Sequence, residues 1–189
     1  MNKTVQLLIN GFWLIFVVWW IVAAFGQKAV AERQSRGSWT AHRVPVTLGT
    51  VLLFFGKFPP PLGFRLTPQA DWLLLFGAVV CGLGLAFAIW ARLTLAGNWS
   101  SNVTFKQSHE LITSGPYHFV RHPIYTGLLL MATGTAIARG DLCYWLGTLL
   151  WAIGFWIKLK QEESVMLAHF PGEYPGYSAR VKALVPFLL

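Results

Sequence analysis

From Val5 to Gly26 the chain runs for 22 residues without a charge. At ~1.5 Å per residue, a helix of that length covers the ~30 Å hydrocarbon layer of a bilayer. Lys3 ahead of the run and Ala29-Val30-Ala31 behind it resemble the parts of a secretory signal. The run exceeds the roughly 7–15 residues of a signal's apolar region, however, and Lys28 interrupts the approach to the small residues, so the segment reads as a retained transmembrane helix. Composition extends that reading to the whole chain. Apolar types make up 55% and charged residues 12% of the 189 residues, about half the charged share of a soluble domain, and the mean hydropathy is +0.53. A soluble enzyme, a disordered tail and a disulfide-stapled secreted module are excluded. The ten Trp supply candidates for the membrane interface.

Five apolar segments stand out: Thr4–Gly26, Val44–Gly56, Asp71–Trp90, Pro123–Ala138 and Leu142–Ile157. The second is only 13 residues and spans only if residues at its ends snorkel. The last two flank Arg139-Gly140-Asp141 and read as a helical hairpin. The fold class expected is all-α, a membrane bundle of about five transmembrane helices with a cytoplasmic, helical C-terminal tail. We treat 1–189 as a single membrane domain, with three spans in 1–91 and a catalytic half in 92–189. Ala78, Gly82 and Ala86, spaced by four, form a small-residue stripe expected to admit a neighbouring helix. The loop 57–70, with Pro59-Pro60-Pro61 and Pro68, reads as surface.

With five spans and the N-terminus outside, eleven Lys and Arg fall inside and four outside. The positive-inside rule then puts the 92–122 connection and the C-terminal tail in the cytoplasm. The formal charge of +8 is dispersed, which suits lipid head groups and gives no nucleic-acid arm. Cys81 and Cys143 lie in apolar segments and read as buried small residues.

Polar residues gather in the second half. All five Tyr lie between 117 and 177, and four of the five His at 109 or beyond. If 123–157 is a hairpin, its ends return to one membrane face, bringing Arg121 and His122 towards Glu162 and Glu163. Pro116 and Pro123 break continuous helix, and Pro123 suits the first position of a span, leaving amides free at a helix N-terminus beside Arg121. Such a terminus seats a carboxylate or phosphate. Gly127, one turn in, permits close approach of a ligand or a helix. His118 and His122 have a metal-ligand spacing, but the prolines interrupt the helix that spacing needs, and no metal site is assigned.

The run Gly97-Asn98-Trp99-Ser100, His109-Glu110-Leu111-Ile112-Thr113-Ser114-Gly115-Pro116-Tyr117, Arg121-His122-Pro123-x-Tyr125-x-Gly127, Glu162-Glu163 and the tail from His169 to Phe187 resembles the isoprenylcysteine carboxyl methyltransferases and their bacterial relatives, within a wider phospholipid methyltransferase group. The resemblance covers the C-terminal half. It implies a bacterial inner-membrane enzyme using S-adenosylmethionine at the cytoplasmic face, and a lipophilic or lipidated substrate reached from the lipid bilayer. Carried over by position, His109, Gly115, Pro116, Tyr117, His122, Pro123, Tyr125, Gly127 and Glu162 would hold the cofactor. Arg121, Glu163 and Arg180 would serve the reacting groups, and Tyr174 and Tyr177 the substrate.

A carboxylate acceptor needs a cation, Arg121 or Arg180, and no base; an amine acceptor needs Glu163 or His122 to take its proton. Carboxyl O-methylation is the favoured expectation. A lipid-amine N-methyltransferase, an NADPH-dependent enzyme like the sterol reductases, and a non-catalytic scaffold are its rivals. The chain is shorter than the eukaryotic enzymes of the family, which bears on whether a prenylated protein is the acceptor.

Overall fold

The computed structural model describes residues 3–25, 30–33, 36–55, 58–96, 104–106 and 111–186. Its framework is six helices: α1 (Lys3–Ala24), α2 (Arg36–Phe54), α3 (Asp71–Leu95), α4 (Pro123–Arg139), α5 (Leu142–His169) and the short α6 (Tyr174–Arg180). Two connections add a small antiparallel ribbon, β1 (Val30–Arg33) with β2 (Thr104–Lys106), which the all-helical reading did not include. The all-α class stands.

Helices α1, α3 and α5 are long and apolar enough to cross a membrane. Their outward faces carry Leu7, Leu14 and Ile21 on α1 and Trp72, Leu75, Val79 and Leu83 on α3, all exposed. Apolar surface on that scale belongs in lipid. Three helices extend well beyond their apolar segments, α3 by five residues to Leu95. α2 begins at Arg36, so the 13-residue segment becomes a 19-residue helix, about 28 Å long. α5 continues past Ile157 to His169, because nothing in 158–169 breaks a helix before Pro171. Glu162 and Glu163 therefore sit on a continuous helix rather than after its end.

Close packing explains how the helices are paired. α3 and α4 run antiparallel with Gly77 opposite Gly134 and Gly84 opposite Gly127. A methyl group added at Gly84 would lie 2.6 Å from the Gly127 carbonyl, and one added at Gly127 2.7 Å from the Gly84 carbonyl. Backbones this near touch through small residues. The seam is Gly77, Cys81, Gly84 and Ala88, not the expected stripe. Gly82 instead faces Phe12 of α1, at 3.2 Å from an added methyl, and Ala86 is exposed. Gly127, assigned to the cofactor on sequence grounds, serves this helix contact. A second antiparallel pair joins α2 to α5, with Gly49 opposite Gly147 and Gly154 against Val46.

Trp13 of α1 connects the pairs. Its indole donates to Thr135 Oγ1 of α4 at 3.0 Å, and its ring meets Trp151 of α5 and Phe54 of α2 edge-on, at 5.7 Å and 4.8 Å. At one end, Gly140 closes α4 at φ +85°, a left-handed cap suited to glycine. The 62–67 loop lies over it. Leu142 N–H and Cys143 N–H at the start of α5 donate to the Phe64 and Leu62 carbonyls, and Leu66 N–H and Thr67 N–H donate to the Gly140 carbonyl. At the opposite end, Arg92 donates to the Ala23 and Ala96 carbonyls at 2.6 Å each, finishing α1 and α3 together.

The seam gives a direct test. Gly84→Ala should lower the thermal unfolding temperature of the purified protein in detergent, with a cost of about 1–3 kcal/mol for overpacking. Gly11→Ala, whose added methyl meets nothing within 4 Å, should leave it unchanged.

Candidate active site

The start of α4 and the end of α5 lie at the same end of the bundle, and the chemistry collects between them. Upstream, Gly115 adopts φ +59° and opens a 3-10 turn, Gly115–His118, against Trp90 and Thr94 of α3. Pro116 and Pro123 are fully buried. Pro123 is the first residue of α4 and His122 its N-cap, so the sequence reading of this corner holds in the structure.

Arg121 is engaged on two sides. Its Nε and Nη2 donate to Glu163 Oε1 at 2.9 Å and 2.6 Å. Its Nη1 donates to the Ser178 carbonyl at 3.0 Å and to the Val181 carbonyl. The guanidinium thus ties α5 to the C-terminal tail. The backbone repeats the tie: Arg121 N–H donates to the Lys182 carbonyl at 2.8 Å, and His122 N–H to the Ala183 carbonyl at 3.0 Å. Thr126 Oγ1 donates to the Leu184 carbonyl at 2.7 Å, and Tyr177 OH to the Tyr117 carbonyl at 2.7 Å. These tail contacts run through backbone carbonyls, so no side-chain pattern signals them.

His122 stands between both acids, with Nδ1 3.5 Å from Glu162 Oε2 and Nε2 3.4 Å from Glu163 Oε1. Burial alone would push its pKa down, but hydrogen bonds and charge from Glu162 and Glu163 outweigh burial and raise it above the usual 6.5. Tyr125 stacks on the His122 ring at 5.7 Å and 13° and donates its hydroxyl to Glu162 Oε1 at 2.6 Å. Behind it, Phe155 stacks at 4.9 Å. Burial raises the phenols of Tyr117, Tyr174 and Tyr177, the last to about 12, so all three remain neutral.

Of the residues expected at the site, Arg121, His122, Pro123, Tyr125, Glu162 and Glu163 form one cluster. Gly115, Pro116, Tyr117, Tyr174 and Tyr177 build its walls and its link to the tail. Arg180 lies exposed on the last turn of α6 with no ion pair among the described residues. Gly127 faces α3, as above. His109 and the Gly97–Ser100 stretch lie outside the described residues. Sequence reasoning passed over Lys158 and Thr126; the i, i+4 spacing of Lys158 to Glu162 was the available signal for the first.

The donor set suits S-adenosylmethionine. Buried acids beside stacked aromatic rings fit a cation and ribose hydroxyls, and the first-turn amides of α4 fit a carboxylate.

The raised His122 pKa sets the sign of a pH effect. Its contribution to stability is complete below about 6.5 and fades as pH rises through the raised value. The unfolding temperature should therefore fall from mildly acidic to alkaline buffer, and His122→Gln should flatten the fall. Arg121→Ala should free the tail, read as faster proteolytic cleavage within 174–186.

The profile of the phospholipid methyltransferase family matches residues 72–173. Among curated relatives, the chain is 34% identical over 150 residues to a protein-S-isoprenylcysteine O-methyltransferase of Tribolium castaneum, covering 78% of this chain and 53% of that protein. A namesake in Mus musculus is 32% identical over 126 residues, covering 64% and 44%. A solved structure of the eukaryotic intramembrane Ras methyltransferase, an isoprenylcysteine carboxyl methyltransferase, superposes with a TM-score of 0.55 at 28% identity, covering 90% of this chain and 53% of that one. The chain spans about half the length of these relatives. With more than half of its residues inside the family profile, it belongs to the phospholipid methyltransferase family.

Proposed function

We propose that the protein is a membrane methyltransferase that uses S-adenosylmethionine to esterify the carboxylate of a lipophilic, isoprenylcysteine-like acceptor at the cytoplasmic face. The observation that carries this is the Arg121–His122–Glu162–Glu163 corner, closed by the C-terminal tail at one end of the helical bundle. Relatives named as isoprenylcysteine O-methyltransferases favour the carboxyl reaction. The excess of Lys and Arg in the connections on the corner side of the bundle favours a cytoplasmic placement of the corner, and the bacterial relatives of the family favour an inner membrane.

S-adenosylmethionine, when bound, supplies a methyl group on a positively charged sulfur. Glu162, Tyr125 and His122 would hold its cationic and ribose parts, with the start of α4 for its carboxylate. The tail, pinned through Arg121, would exclude water from the acceptor carboxylate, which is already ionised at neutral pH and needs no base. The donor would supply its methyl to a carboxylate oxygen held in line with its carbon–sulfur bond, and the products would be an ester and S-adenosylhomocysteine. The chain's task is therefore alignment and shielding. Arg121 acts as a positioning residue for Glu163 and the tail.

Incubating the protein with methyl-labelled donor and an S-farnesylcysteine derivative should yield label released by mild base, the signature of an ester. Base-stable label would identify an amine product instead. Glu162→Gln should weaken S-adenosylhomocysteine binding by about 10- to 100-fold, the range for a charged hydrogen bond, measured by calorimetry.

A further inference from the structure

Lys158 lies one helical turn inward from Glu162 on α5. Its side chain is 14% exposed, and its Nζ forms an ion pair with Glu162 Oε1 at 3.9 Å. The same ammonium sits 5.4 Å from the centre of the Tyr125 ring, which also stacks on Phe155. It therefore marks the junction between the apolar interior and the acidic corner.

We infer that Lys158 is the cation that receives the acceptor's carboxylate and selects acids over neutral lipids. The inference rests on the proposed carboxyl methylation and names its substrate-binding residue. A long apolar acceptor enters from the bilayer side, so its charged end halts where apolar walls give way to polar ones, and Lys158 is at that boundary. The two arginines considered on sequence grounds are placed otherwise. Arg121 is neutralised by Glu163 and bonded to the Ser178 and Val181 carbonyls, so a second carboxylate there would compete with the tail. Arg180 is exposed at the end of α6. An ammonium carries three donors on a flexible stem, so Nζ can swing from Glu162 to an incoming carboxylate while Tyr125 and His122 keep Glu162 in place.

The test compares binding of an S-farnesylcysteine carboxylate with its methyl ester in detergent-solubilised protein, together with methylation kinetics and S-adenosylhomocysteine affinity. The wild-type protein should bind the acid at least tenfold more tightly than the ester. Lys158→Gln should abolish that preference and raise KM for the acid by tenfold or more, with S-adenosylhomocysteine affinity unchanged. Lys158→Arg should restore most of the preference, showing that charge and not fold was lost. Retention of the acid preference in Lys158→Gln, or its absence from the wild type, overturns the inference. Loss of the preference in Lys158→Gln, with no ester formed even by the wild type, would uphold Lys158 as the carboxylate site and overturn the methylation reading alone.

Discussion

The bond between Arg121 and Glu163 is the constraint on which the corner depends. It joins residues 42 apart across the ends of two helices, at side chains 12% and 14% exposed. A guanidinium in such a place needs an opposite charge and filled hydrogen bonds, because an unpaired buried ion is costly. Glu163 supplies the charge, and the Ser178 and Val181 carbonyls supply the remaining acceptors. Three separate stretches of chain thereby become one wall. His122 then bridges that pair to Glu162, and Tyr125 fixes Glu162 from the other side. The cluster is a connected network, so the placement of each acid depends on its neighbours.

Beneath the corner, the membrane part is held by proximity more than by polar bonds. In lipid the hydrophobic effect does not press helices together, and close backbone contact takes its place. Glycines at 77, 84, 127 and 134 bring α3 and α4 together, and those at 49, 147 and 154 do so for α2 and α5. The few polar ties, such as Trp13 to Thr135, set orientation between the pairs.

Much of this was legible from residue order. Pro123, Gly140 and the two acids after an apolar run define a hairpin whose ends must meet, which brings Arg121 and His122 towards Glu162 and Glu163. The lengths of α2 and α5 were less legible, because hydropathy ends where charges begin whereas helix continues until a breaker such as Pro171. The packing stripe is hard to read for a related reason. A four-residue spacing picked out Ala78, Gly82 and Ala86, whereas the contact follows alternating steps of four and three through Gly77, Cys81, Gly84 and Ala88. The tail's attachment was invisible, since nearly every bond in it ends on a main-chain oxygen. Arg121 was identified as important, but its structural employment could be seen only from those oxygens.

The glycine contact between α3 and α4 has a mechanical consequence. Two helices touching along their main chains have few side-chain rotamers between them to rearrange, so they move as a single plank. Against α5, by contrast, α4 packs through side chains such as Tyr125 on Phe155, which leaves that contact more room to adjust. That adjustable edge runs up to the corner where Arg121 and His122 meet Glu162 and Glu163.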